Sequence, residues 1–280
     1  MDITRESIRR DLRNLGVVEG DVVLVRAGLK AVGAVDQGNF LEALLDVLGS
    51  HGTVASLAFT RGGFAWQASK IPPYTPDSVS YAGALPNMMI AHPHSHRSLH
   101  PQCSIVAIGK HAQQLTDGHG PHSRAYEPVR KLIGLKAKML LAGCVDSSPG
   151  FTTAHLAEAD LGLHRRRIAP WLAISRYFDE HGAIRTFYRT DPGLCSKPFW
   201  KFYAAYVRNG YLTTGPVGKA YSICAPAAEC YAIEHQLLAQ NKRFAVCDSA
   251  DCVGCNVLRW DRIYRWPAFL VGRVLRNRSH

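Results

Sequence analysis

The sequence predicts an α/β fold, and three observations carry that reading. Short apolar, β-rich runs at 22–25, 53–60 and 139–145 each connect through a glycine-bearing turn to a neighbour with another period. Two of those neighbours, 40–48 and 152–161, have helical spacing, so strand and helix alternate as a layered α/β domain requires. The chain is 47% apolar and 20% charged, the balance of a protein with a buried core. No composition shift, low-complexity linker or internal repeat divides its 280 residues, so the expectation is one domain over 1–245 with a cysteine-bearing extension, 246–280, packed on it.

Each element follows from local chemistry. Thr4 is an N-cap before Ile8, Leu12 and Leu15 at helical spacing, and Gly16 stops that surface helix. The run 22–25 is a strand, Arg26-Ala27-Gly28-Leu29 the turn after it, and 40–48 a helix that returns the chain to a strand at 53–60. Residues 61–83 hold Gly62, Gly63, Pro72, Pro73 and Pro76 without a period, which predicts a long loop. Further on, 84–91 reads as helix, 103–108 as strand, 111–115 as a turn or two of helix and 139–145 as a central strand. Ser147-Ser148-Pro149-Gly150 is a turn that opens the helix at 152–161, and 199–209 and 227–240 are two more helices.

Charge and cysteine usage narrow the class. Lys and Arg number 33 against 22 Asp and Glu, a net charge of +11 that favours an anionic partner. Charged residues through the first thirty positions leave no room for a signal peptide, and no apolar run approaches the roughly 18–20 residues that span a bilayer. Eight cysteines in such a chain predict reduced thiols or a metal, and a cytoplasmic location. The basic residues are spread along the chain without a nucleic-acid-binding motif, so a nucleic-acid partner is not expected.

One pair of residues points to chemistry. His155 and Glu158 stand three apart at the start of the helix that follows the central strand, so they project from one face. A carboxylate beside an imidazole steadies the charge that forms when the ring takes a proton, which makes a general base. The competing reading is a surface histidine beside a surface glutamate, and spacing alone does not separate the two. His100 precedes Pro101 and stands four residues before Ser104. His92, His94 and His96 alternate as ligands on one strand would, but Pro93 interrupts them and neither a cysteine nor a carboxylate completes a site, so no metal is assigned there.

The segments VVLVRAGLKAVGAVDQG at 22–38, GTVASLAFT at 52–60, RSLHPQCSIVAIGKHA at 97–112, LLAGCVDSSPGFTTAHLAEA at 140–159 and GPVGKAYSICAPAAE at 215–229 together resemble the aminoglycoside 3-N-acetyltransferase family over about residues 5–240. The most specific parts are His100-Pro101-x-x-Ser104 and Thr153-x-His155-x-Ala157-Glu158. The resemblance implies a single α/β domain with a mixed central sheet flanked by helices, unlike the GNAT acetyltransferases, and direct transfer of acetyl from acetyl-CoA to an amine. It implies His155 as general base, Glu158 as its support, Thr153 beside them, and a CoA-contacting region made of Arg26, Ala27, Gly28 and Leu29 with His100 and Ser104. Where the family carries His-Ser-Ser-Leu after the first strand, this chain has Arg26-Ala27-Gly28-Leu29. Backbone N–H groups and Arg26 then replace the hydroxyls as partners for a pyrophosphate. Thr152, Thr153 or amides at the helix start are the candidates for stabilising the oxyanion.

The departures from the family shape the remaining expectations. A chain poor in acids, with Arg165-Arg166-Arg167 after the catalytic helix, predicts an anionic or neutral small-molecule amine such as a sugar nucleotide rather than a polycation. Competing readings are a genuine aminoglycoside 3-N-acetyltransferase conferring resistance, a longer acyl donor, a non-catalytic relative and a basic nucleic-acid-binding protein. Cys247, Cys252 and Cys255 have the spacing of a structural zinc site that would borrow a fourth ligand from Cys224, Cys230 or His235. The tail from 260 to 276 mixes Trp266, Phe269 and Leu270 with arginines, which predicts packing on the domain or in a homodimer ahead of contact with a membrane surface.

Overall fold

A computed structural model describes residues 3–33, 38–163, 174–189, 195–258 and 266–277. Its first helix, α1 (Arg5–Asn14), starts where the sequence says it should. Thr4 Oγ1 accepts the Ser7 amide at 3.1 Å while Ser7 Oγ accepts the Thr4 amide at 3.0 Å, a reciprocal cap, and Ile8 and Leu12 turn inward.

The chain then runs β1 (Val22–Ala27), α2 (Leu29–Val32), α3 (Gly38–Leu48), β2 (Thr53–Leu57), β3 (Pro73–Tyr74), α4 (Ala84–Ala91), β4 (Ser95–Arg97), β5 (Ile105–Gly109), α5 (Ala112–Thr116), α6 (Glu127–Gly134) and β6 (Lys138–Ala142). It continues through α7 (Thr153–Asp160), β7 (Ile174–Phe178), β8 (Ile184–Tyr188), α8 (Tyr203–Arg208), β9 (Thr213–Val217), β10 (Ala220–Pro226), α9 (Ala227–Gln240) and α10 (Trp266–Asn277).

Seven strands form a mixed sheet in the order β4-β5-β2-β1-β6-β10-β9. β1 lies parallel to β2 and β6, with Leu24 opposite Ala55 on one side and Met139 on the other; the outer pairs are antiparallel. Both faces are covered, so the central strands are mostly apolar and their alternation sorts residues between two cores. Val23 and Val25 of β1, with Leu140 of β6, pack toward Ile8, Phe40 and Leu44 of α1 and α3. Val22 and Leu24, with Met139 and Leu141, pack toward α7, α9, Phe199 and Tyr206.

Several boundaries differ from the sequence reading for identifiable reasons. The strand expected over 139–145 ends at Ala142 because Gly143, at φ 65°, turns the chain. The helix expected over 199–209 is a 3₁₀ segment, Lys197–Phe202, running into α8. The loop 61–83 contains a 3₁₀ turn at Ala65–Lys70 and supplies β3 to a second sheet, β3-β7-β8. Among the described residues no helix is long and apolar enough to cross a membrane.

Candidate active site

The parallel strands β1, β2 and β6 run in one direction, and the chain leaving their carboxyl ends builds a cleft, the usual location of a ligand site in such sheets. A cavity of about 210 Å³ lies there, walled by Arg26 and Ala27 at the end of β1, Ser56, Leu57 and Phe59 on and after β2, and Ser148, Thr152 and His155 after β6, with Tyr126 and Ser196 closing it.

His155 sits in the first turn of α7. Its Nδ1 is 3.1 Å from Oε2 of Glu158, which is fully buried. The imidazole is held on two sides: the Tyr126 ring stacks on it at 4.8 Å between centroids, and Phe199 meets it edge-on at 4.7 Å. Phe199 comes this close because Gly150 faces it. A Cβ at Gly150 would fall 2.1 Å from that of Phe199, and the φ of +74° there independently favours glycine. A buried acid one turn from a clamped histidine at a cavity wall is not an exposed ion pair, so the pair is not the surface feature that spacing alone allowed.

The other expected site residues divide. Arg26 lines the cavity, but its guanidinium points into the protein's own backbone. It donates to Ser148 Oγ at 2.9 Å, to the Ser148 carbonyl at 3.0 Å and to the Gly150 carbonyl, and so holds the Ser147–Gly150 turn in place. Burial pushes the Arg26 pKa down, against the pull of its neighbours. The Gly28 amide, expected to face a phosphate, donates to the Ala142 carbonyl at 2.8 Å, and Leu29 is in the core. Of the turn 26–29, Arg26 and Ala27 therefore border the cavity.

His100 and Ser104, expected at the cofactor, are fully buried. His100 Nδ1 accepts the Cys103 amide at 2.9 Å and its ring stacks on His119 at 4.9 Å; Ser104 donates to the Ala58 carbonyl at 2.6 Å. Burial, reinforced by His119 and Arg189, lowers the His100 pKa to about 3, so it is a neutral internal brace. Thr153 also turns inward. It donates to Glu234 Oε1 at 2.9 Å, and the threonine on the cavity wall is Thr152.

Sequence reasoning missed Tyr126, Phe199 and Glu234. Glu234 had a visible signal, an acid spaced four residues from both Cys230 and Leu238 on one helical face. Tyr206 and Thr153 donate to its Oε1, and burial raises its pKa well above the ordinary carboxylate range, so it is protonated in the fold. Cys144 lies beside the cleft, but burial pushes its thiol up, which removes it as a nucleophile.

Two larger cavities flank the cleft. One of about 560 Å³ lies across the Ser147–Gly150 turn and is bordered by Lys197, Trp200, Tyr203 and Tyr221. The other, of about 650 Å³, adjoins Phe59 through Thr60 and is bordered by Arg61, Tyr74, Tyr81 and Arg176. Arg165-Arg166-Arg167 lies outside the described residues. The three C-terminal cysteines do converge, but the fourth thiol beside them is Cys195; Cys224 and Cys230 are buried on β10 and α9 in the cores of the main sheet.

Comparison with known proteins identifies the family. The family described as aminoglycoside 3-N-acetyltransferase matches residues 24–239. Aminoglycoside N(3)-acetyltransferase III of Serratia marcescens is 31% identical over 255 residues, 78% of this chain and 91% of that one. The solved structure of AAC-IIIb with CoASH is 25% identical with a TM-score of 0.73, covering 85% of this chain and 96% of its own. AAC(3)-IVa in complex with a gentamicin shares the fold at 22% identity and a TM-score of 0.78, over 94% and 98% of the two chains. The expectation of an anionic or neutral acceptor conflicts with what these relatives are named for: the Serratia marcescens protein is an aminoglycoside acetyltransferase and the AAC(3)-IVa structure holds gentamicin, a polycation. Net charge sums the whole surface and does not report the charge preference of one cleft. The acceptor is a small-molecule amine, the donor acetyl-CoA, and the chain belongs to the aminoglycoside 3-N-acetyltransferase family of acyltransferases.

Proposed function

We propose that this enzyme acetylates an amine of a ring-borne amino sugar of the aminoglycoside kind, with His155 as general base and Glu158 as the carboxylate that orients it. The observation that carries the proposal is the 3.1 Å contact between Nδ1 of His155 and the buried Glu158, at the wall of the cleft where the parallel strands end.

Glu158 accepts the Nδ1 proton and so leaves the lone pair on Nε2. An alkylammonium has no lone pair to attack with, and His155 supplies the missing step by taking a proton from it. The freed amine attacks the thioester carbonyl, forming the C–N bond, and the tetrahedral intermediate collapses as the C–S bond breaks and CoA leaves with a proton. Glu158 balances the imidazolium that forms meanwhile. The Thr152 hydroxyl, on the same wall as His155, serves as a donor to the oxyanion. No cysteine is acylated, in keeping with the raised pKa of Cys144.

The cavity bordered by Lys197, Trp200, Tyr203 and Tyr221, with Asp146 also on its wall, is assigned to the donor, since the Lys197 ammonium matches a phosphate and the aromatic faces match adenine. The acceptor then enters from the side of Thr60 and Tyr81.

The test is thiol release from acetyl-CoA by wild type and His155→Ala against gentamicin, sisomicin, simple amino sugars and nucleotide-linked amino sugars, with products identified by mass spectrometry. N-acetylation of an aminoglycoside that disappears in the variant is expected. Turnover unchanged in His155→Ala, or an acetylated hydroxyl in place of an amine, would overturn the assignment.

A further inference from the structure

Three cysteine thiols of one short stretch and a fourth from much earlier in the chain meet at one point outside the cleft. Cys195, Cys247, Cys252 and Cys255 place their sulfur atoms within 4.8 Å of one another, and all four are free thiols. Chance burial of small apolar residues does not gather four sulfurs in this way, and the surroundings are built for thiolates. The Cys255 amide donates to Cys252 Sγ at 3.5 Å, the N–H to sulfur contact across a Cys-x-x-Cys turn, and the Cys247 amide donates to Cys255 Sγ at 3.4 Å. Gly254 lets that turn close: a Cβ there would lie 3.2 Å from the Cys195 amide nitrogen. Lys201, Arg243 and Arg276, the last paired with Asp251, border the neighbouring depression together with Cys247 and Asp248, so the charge beside the cluster is mixed with cations in excess.

We propose that these four residues form a closed tetrathiolate site for one zinc ion. Zinc held by four cysteines is tetrahedral with Zn–S near 2.3 Å, which sets the sulfurs about 3.8 Å apart, and the sulfurs are already close to that arrangement. Four soft donors with no open position select a structural zinc rather than a catalytic one. The ion ties three segments together: Cys195, two residues ahead of the Lys197–Phe202 turn, the chain after α9, and the turn at 252–255.

The location gives the site a consequence for the cleft. Cys195 is followed at once by Ser196, which lines the His155 cavity, and four residues later by Phe199, which rests on the His155 ring. Lys201 donates to the Val246 carbonyl at 2.8 Å, and Phe202 packs on Phe244 at 5.0 Å, so the same turn is clamped from the extension side as well. The zinc thereby anchors the segment that positions one wall of the base.

The proposal is independent of the acyl-transfer reading, and its test reads the metal itself. Full-length protein purified under reducing conditions from zinc-supplemented medium should contain one zinc per chain, and its X-ray absorption spectrum should show four sulfurs at about 2.3 Å. Cobalt exchange should produce the ligand-field and sulfur-to-metal bands of a tetrahedral tetrathiolate. Cys195→Ser should lose most of the zinc, whereas Cys224→Ser and Cys230→Ser should keep it. Because a ligand variant can fail to fold, the wild-type absorption spectrum decides alone. Protein without zinc, zinc with nitrogen or oxygen neighbours in place of sulfur, or disulfides among these four cysteines in the protein as isolated would each overturn it.

Discussion

His155 and Glu158 are joined at 3.1 Å on one turn of α7, with the acid entirely inside the protein and the histidine at the cavity wall. The pair therefore acts as a unit. His155→Ala should lower kcat by about 10²- to 10⁴-fold, the contribution of a positioned base, while CoA binding measured by calorimetry stays near wild type. Glu158→Gln keeps the shape and removes the charge, so its loss of kcat should fall within the same span. A Glu158→Gln enzyme with wild-type kcat would show that the carboxylate only packs.

Glu234 is the buried acid that should tolerate loss of its charge. Its pKa is raised in the fold, so it is neutral there and ionised in the unfolded chain above about 4.5. The unfolded state then binds fewer protons, and the stability contributed below that pH is lost as pH rises toward the folded pKa. Glu234→Gln removes this dependence. Its stability relative to wild type, read from thermal melts, should improve as pH rises above about 4.5, whereas Glu234→Ala should cost stability at every pH by leaving Tyr206 and Thr153 without their acceptor.

The stacked His100 and His119 predict acid lability with the opposite sign. Burial lowers their pKa values to about 3 and about 4, so both stay neutral in the fold while the unfolded chain protonates them below about 6.5. Stability from this pair is present above that pH and lost as pH falls through about 4 and then about 3. Thermal melts from pH 7 to 4 should show a decline that is shallower in His119→Gln.

Gly150→Ala should injure catalysis through packing. The new methyl must displace Phe199 from the face of His155 or distort the turn held by Arg26, at a cost of about 1–3 kcal/mol. Loss of kcat exceeding the change in KM for acetyl-CoA is the expected signature; unchanged kinetics would mean that Phe199 does not position the base.

Arg61 and Arg176 face the proposed acceptor side, where like charge repels a polycation. Arg61→Ala should lower KM for gentamicin, and the wild-type KM should itself fall as salt rises and screens the repulsion. A KM indifferent to both would place the acceptor elsewhere.

Much of this molecule was legible before its structure. The βαβ unit through α3, the strand–turn–helix that carries His155, and the cap at Thr4 all rest on local signals: period, glycine and capping chemistry. What escaped was short or assembled from afar. β3 has two residues and β4 three, too few to show alternation, while Gly215 and Pro216 disguise β9. Pro128 at the head of α6, with Val129 and Leu132 buried behind it, was a start signal that went unread. In the site, His155 and Glu158 are neighbours in sequence and were therefore visible. Tyr126, Phe199 and Cys195 reach their partners through the fold, and no local pattern encodes that. The inward turn of His100, Ser104 and Thr153 has the same origin, since a motif names residues without saying which way they face.

The two borders of the large sheet bear on how copies of this protein meet. β4 is three residues long and presents His96 and Arg97, and β9 carries Pro216, which has no N–H to offer. Neither rim is a template on which another chain could extend the ladder. Among the described residues the strand edge left open to another chain is instead β8 of the small sheet, five residues long and paired with β7 alone, so any ladder growth between copies would start there and not on the large sheet.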